Sequence, residues 1–126
     1  MDGTLIDSYR HVIDAYAGAT EALGEPGRSR DEIAAAPTGG PARVILANLL
    51  RREVSHEEVE IYYNLLERFA PRVPIYEGIE DMLASLSAPA AVFTGASTRS
   101  AEILLGAARL DRHFPIVVGG DQVENR

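Results

Sequence analysis

At 126 residues and 46% apolar content, the chain is long enough for one domain with its own core and needs no disulfide staple. It has no Cys, which excludes disulfides and thiolate zinc sites and fits a reducing, cytoplasmic compartment. A formal charge of -7, with all 12 basic residues being Arg, disfavours nucleic acid or an anionic membrane as the main partner, yet allows a small anion in a locally positive pocket.

The first predicted element is a helix over residues 9–23, where Val12, Ile13, Tyr16, Ala19 and Leu23 recur at helical spacing until Gly24-Glu25-Pro26-Gly27 stops them. Asp7 and Ser8 precede it as expected N-terminal caps. Ser29 and Glu32 have capping-box spacing and start a short helix. "PTGGPARVILANLLRR" reads as a turn feeding another helix, with Pro41 where a first turn tolerates it. Its apolar run is broken by Asn48, too short to span a bilayer, and no basic apolar leader follows Met1. Ser55 and Glu58 form a second capping box, and Val59, Tyr62, Tyr63, Leu66 and Phe69 give the stripe of a helix to about residue 70.

The pattern then changes. A helix over residues 77–86 leads into "PAAVFTG", a short apolar run that reads as a buried parallel strand near residues 90–93. "STRSAEILLGAARL" is another helix, and "FPIVVGG" a second buried strand near 115–118. Strand, helix, strand is a βαβ unit, which implies a parallel sheet with ligand groups at the carboxyl ends of its strands.

"MDGTLIDS", "IYEGIEDML", "VFTGAS" and "FPIVVGGDQVENR", in this order and spacing, resemble the haloacid dehalogenase superfamily, in its phosphoglycolate-phosphatase-like branch. The resemblance implies an α/β fold: a partial Rossmannoid parallel sheet formed by residues 1–8 and 74–126, with an all-helical cap inserted at 9–73. It further implies a Mg2+-dependent phosphatase that acts on a small phosphorylated metabolite through an aspartyl-phosphate. Asp2 matches the second carboxylate of the family's Asp-x-Asp-Gly-Thr loop, and Thr94 matches the hydroxyl residue of its second motif.

The chemistry accounts for those residue types. A carboxylate attacking phosphorus divides hydrolysis into two displacements, and a second carboxyl two residues along can protonate the leaving alkoxide and then activate water. Asp2 takes that second role. Gly3 admits the phosphate close to the backbone, Thr4 braces the loop, and Thr94 with the N–H groups around Gly95 and Ala96 would hold phosphoryl oxygens. In the resembling family, the backbone carbonyl at the Asp2 position ligates Mg2+. Relatives that dehalogenate or cleave carbon–phosphorus bonds lack this second Asp, so Asp2 favours phosphate esters.

Other candidates carry less. Arg43, just inside the "GGPAR" helix start, could reach a second anionic group of the substrate from the cap, although an exposed helix arginine is the commoner outcome. His11, His56 and His113 show no ligand spacing, and Asp121 and Glu124 are expected in a solvated loop. By the resemblance the nucleophile would directly precede Met1, and a Lys and an acidic metal motif would follow Arg126. Residues 1–126 alone are therefore expected to be an inactive segment that associates with its own copies through exposed strand edges. A noncatalytic binding or oligomerisation module and a sugar-phosphate mutase are the alternative readings.

Overall fold

A computed structural model describes residues 1–24, 28–36 and 40–124. The expected turn residues 25–27 and 37–39, and the terminal 125–126, lie outside the described residues.

Four helices follow one another without an intervening strand: α1 (Tyr9–Ala22), α2 (Arg30–Ala35), α3 (Ala42–Leu50) and α4 (His56–Phe69). Local signals set their ends. Both capping boxes form: Ser29 accepts from the Glu32 N–H at 3.1 Å and Ser55 accepts from the Glu58 N–H at 3.2 Å, while each glutamate accepts from its serine's N–H. Pro41 is the N-cap of α3, where its missing N–H costs nothing. Helix α1 ends at Gly24, whose φ of 81° suits a residue without a Cβ.

The apolar stripes then pack the helices together. The Tyr16 ring of α1 stacks on Tyr62 of α4 with centroids 4.2 Å apart and planes 16° off parallel. Leu46 of α3 and Leu66 of α4 are fully buried in the same core as this stack. Burial of each such side chain is worth about 1.5–3 kcal/mol, so these contacts, more than propensity, hold the short helices in place.

The chain enters and leaves this helical stretch through two paired segments. The Asp7 N–H donates to the Pro74 carbonyl at 2.9 Å and the Tyr76 N–H donates to the Leu5 carbonyl at 3.1 Å, with Ile6 bridged antiparallel to Ile75. Beyond them come α5 (Ile79–Ser85), β1 (Ala91–Phe93), α6 (Thr98–Ala107) and β2 (Ile116–Val118). β1 and β2 pair in parallel, Val92 opposite Val117. The α/β architecture expected from the βαβ pattern is present.

The strands depart from the expected burial. Val92 is buried and Val117 packs on the same core, but Phe93 is 74% exposed and Ile116 56%. With only two strands in the described sheet, the core covers one face and leaves the alternate residues open. A continuous apolar run meant both faces could be buried; it did not supply a second cover.

Helix α6 joins the sheet to the helical segment. The Tyr63 hydroxyl hydrogen-bonds Ser97 Oγ at 2.9 Å, and Ser97 Oγ pairs with Ser100 Oγ at 2.8 Å. Beside them the Arg99 guanidinium sits 4.5 Å above the Tyr63 ring and pairs with Glu60 of α4. One hydrophobic cluster consequently runs from Ile6 and α1 through α4 to Leu83, Val92 and Leu104. No helix among the described residues is long and apolar enough to cross a membrane.

Candidate active site

A cleft of ≈ 460 Å³ opens where the first loop, the end of β1 and the faces of α1 and α4 meet. Asp2 and Gly3 line it from the loop, Thr94 and Gly95 from the turn after β1, and Tyr16 and Tyr62 from the stacked pair. Residues more than ninety positions apart in sequence thus line one cleft, at the carboxyl end of a parallel strand as open α/β sheets require.

The loop is a tight turn. The Thr4 and Leu5 N–H groups both donate to the Met1 carbonyl, at 3.2 and 2.9 Å, and the Gly3 N–H donates to the Ile6 carbonyl at 2.9 Å. Gly3 has φ +74°, which strains any residue bearing a Cβ, and the space where that Cβ would sit is open. Thr4 is exposed and joins the loop through its backbone.

Ser8 corrects one expectation. It occupies the N-cap position of α1, but its φ and ψ are helical and its side chain makes no cap hydrogen bond. The fully buried hydroxyl instead donates to Asp2 Oδ1. A charge-assisted bond to a carboxylate outweighs a neutral cap bond, and the tight loop brings that carboxylate within reach. Ser8 therefore orients Asp2.

At the second wall, the Ala96 N–H donates to Thr94 Oγ1 at 3.2 Å. That N–H is spent within the turn, which corrects the idea that it faces a ligand, while the Thr94 hydroxyl keeps its own proton to donate. Asp121 is corrected as well: although exposed, Oδ1 accepts from both the N–H and the hydroxyl of Thr98, each at 2.8 Å, and so anchors the first turn of α6. The chain approaches closely enough because Gly119 has no Cβ; one placed there would lie 2.2 Å from the Thr98 nitrogen.

Arg43 is exposed on α3 and lines a separate hollow with Asn48 and Glu53. Among the described residues no group of three His, Asp or Glu converges on a metal-sized site. Asp2 is the only carboxylate among the described lining residues of the cleft.

The floor of the cleft escaped the sequence reading. Tyr16, Tyr62 and Tyr63 registered as parts of an apolar stripe, yet their hydroxyls gather with Ser97 and Ser100 between α1, α4 and α6. Burial first, and then neighbouring phenols and the Asp2 charge, push the Tyr16 phenol well above its ordinary range. Burial likewise raises Tyr62. Both phenols are neutral hydrogen-bonding groups at physiological pH. Three tyrosines where Leu or Phe would fill the stripe were the available signal.

A parallel strand ending beside an Asp-Gly-Thr loop, packed against helices, defines a hydrolase class with an α/β fold. The whole chain, residues 1–126, matches the haloacid dehalogenase-like hydrolase family, and the protein belongs to it. It is 27% identical over 142 residues to the phosphoglycolate phosphatase of Chromobacterium violaceum, covering 100% of this chain and 62% of that protein. It is similar in structure to a putative beta-phosphoglucomutase from Thermotoga maritima, with 27% identity and a TM-score of 0.60, covering 100% of this chain and 61% of that one. CbbY from Rhodobacter sphaeroides, solved with phosphate, shares the fold at 17% identity with a TM-score of 0.74, covering 100% of this chain and 63% of that one. The chain thus spans about three-fifths of the length of these relatives.

Proposed function

We propose that the protein bearing this chain hydrolyses small phosphomonoesters through an aspartyl-phosphate, with residues 9–73 serving as a helical cap over a core of 1–8 and 74–126. The observation that supports this best is that Asp2 and Thr94 line one cleft with Ser8 bonded to the Asp2 carboxylate. In this reading Asp2 protonates the departing alkoxide and then takes the proton of the attacking water. The Thr94 hydroxyl and the backbone at Gly3 and Gly95 receive the phosphoryl oxygens. Arg43 lines a different hollow and is assigned no role in this reading.

Mg2+, if bound, would neutralise charge on the phosphoryl group. Among the described lining residues Asp2, through its carbonyl and carboxylate, would hold it, and one residue does not complete an octahedral site. The steps above therefore run through side chains and backbone alone. The same scarcity of carboxylates bears on residues 1–126 alone: a single carboxylate cannot attack phosphorus and protonate the leaving group in the same step. We expect this chain by itself to be inactive and the longer protein to be active and sensitive to EDTA.

Assaying an aryl phosphate with Mg2+ tests both statements. Multiple turnovers by residues 1–126 that vanish in Asp2→Ala would defeat the division of labour, and an Asp2→Asn full-length protein with normal turnover would defeat the role of Asp2. The likeness to a putative beta-phosphoglucomutase favours one second reading, in which the phosphoryl group returns to a sugar. Phosphorus NMR of the products, free phosphate against an isomerised sugar phosphate, separates the two.

A further inference from the structure

Tyr62 meets the cleft as a hydrogen-bonding group as well as a ring. It is 2% exposed and its ring stacks on Tyr16 at 4.2 Å, so α1 and α4 together fix where its hydroxyl stands. That hydroxyl accepts from Tyr16 and from Ser100. Ser100 Oγ pairs in turn with Ser97 Oγ at 2.8 Å, and Ser97 Oγ with the Tyr63 hydroxyl at 2.9 Å.

The direction of these bonds follows from counting protons. Each hydroxyl has one proton, so once Ser100 gives its own to Tyr62, Ser97 must donate to Ser100 and Tyr63 to Ser97. The chain of donors points toward the cleft. A phenol oxygen has two acceptor positions, and Tyr16 and Ser100 take both, which leaves Tyr62 its proton. Among the described residues no acceptor takes that proton, and Asp2 acts on both phenols through its charge and not through a hydrogen bond. Hydroxyls aligned in this way polarise one another, which strengthens the last donor of the chain. Burial keeps the phenol neutral, so the donor persists across physiological pH.

We propose that Tyr62 is a specificity residue that donates its hydroxyl proton to an oxygen on the organic part of a phosphorylated ligand, with Tyr16, Tyr63, Ser97 and Ser100 holding that donor in place. The proposal rests on the phosphatase reading for the phosphate beside Asp2 and Thr94. It adds a hydroxyl, ether or carbonyl oxygen as the feature recognised beyond the phosphate.

Calorimetric titration of the full-length protein with two isosteric pairs of phosphonates tests it: 2-hydroxyethylphosphonate against propylphosphonate, and 3-hydroxypropylphosphonate against butylphosphonate. In at least one pair the hydroxyl member should bind about tenfold tighter, because the methyl member leaves a desolvated donor without an acceptor. Tyr62→Phe keeps the ring and its stack but removes the proton. It should weaken the hydroxyl member, spare or strengthen the methyl member, and bring their ratio to within about twofold of one. General damage to the fold would weaken both members and leave the ratio in place. Tyr16→Phe keeps the Tyr62 proton and should retain most of the ratio. Where Tyr62→Phe does not fold, the preference of the parent protein decides. Equal binding within both pairs by the parent, or a preference that survives in Tyr62→Phe, overturns the assignment of Tyr62 and leaves the phosphatase reading standing if aryl phosphates are turned over. The expected preferences without turnover of any ester support Tyr62 and overturn the phosphatase reading. Binding of no phosphonate overturns both.

Discussion

Gly119→Ala should destabilise the fold by about 2–4 kcal/mol, although the backbone at this position is one any residue can adopt, with φ -90° and ψ 165°. The penalty is steric. An alanine Cβ would stand 2.2 Å from the Thr98 nitrogen, 2.6 Å from its Oγ1 and 2.7 Å from Asp121 Oδ1. The nitrogen belongs to the first turn of α6 and cannot swing aside as a side chain would. Either α6 moves, disturbing its packing at Leu104 and Leu105, or the Asp121 carboxylate is expelled and its two 2.8 Å bonds to Thr98 are lost. Overpacking of this kind costs about 1–3 kcal/mol and a hydrogen bond to a charged group about 1.5–3 kcal/mol; one relieves part of the other, which gives the range stated. Urea denaturation followed by tyrosine fluorescence reads the change directly, because the chain has five Tyr and no Trp. Gly106→Ala in the same helix is the internal control: nothing lies within 4 Å of its Cβ position, so alanine should stabilise by about 0.5 kcal/mol through helix propensity. A Gly119→Ala protein within about 0.5 kcal/mol of the parent would refute the view that close approach of β2's end to α6 fixes this corner.

Three further outcomes are expected. Ser8→Ala should lower stability by about 1–2 kcal/mol and turnover of aryl phosphates by about tenfold in the full-length protein, with Ser8→Thr retaining more of both, since the hydroxyl orients Asp2. Asp2→Asn in that protein should reduce kcat by ~10²–10⁴-fold, most strongly for esters with poor leaving groups, which a Brønsted series would show. Glu58 is held at about 2, below its ordinary 4.5, chiefly by Arg52 and then by the Ser55 backbone. A depressed carboxyl stabilises the fold above about pH 4.5 and loses that contribution as pH falls toward 2. Glu58→Gln keeps an acceptor for the capping box, so its urea midpoint should differ from the parent at pH 6 and converge with it near pH 2. A difference that persists at pH 2 would show that the lost interaction was not the ionised pair.

Much of this molecule was legible before folding because its signals are local. A capping box is a contact over three residues, and the stripe Val59, Tyr62, Tyr63, Leu66 follows from 3.6 residues per turn, so α2 and α4 could be read almost to their ends. The "DGT" loop and the strand-terminal Thr94 stood out in the sequence because phosphate transfer, the chemistry proposed for this site, accepts few residue types at such places. What the residues did at longer range was a different matter. Ser8 could serve α1 or reach Asp2, and only the fold of the loop put the carboxylate within bonding distance. Asp121 looked like a solvated loop residue until the chain brought it back 23 positions to the start of α6. The tyrosines could be read as a buried stripe, but the gathering of their hydroxyls with Ser97 and Ser100 depends on how α1, α4 and α6 pack, with Tyr63 and Ser97 34 positions apart. Periodicity says which side of a helix or strand is apolar; what lies opposite that side is settled by contacts between distant segments. That is why Phe93 and Val92, neighbours in one apolar run, end on an open face and in the core.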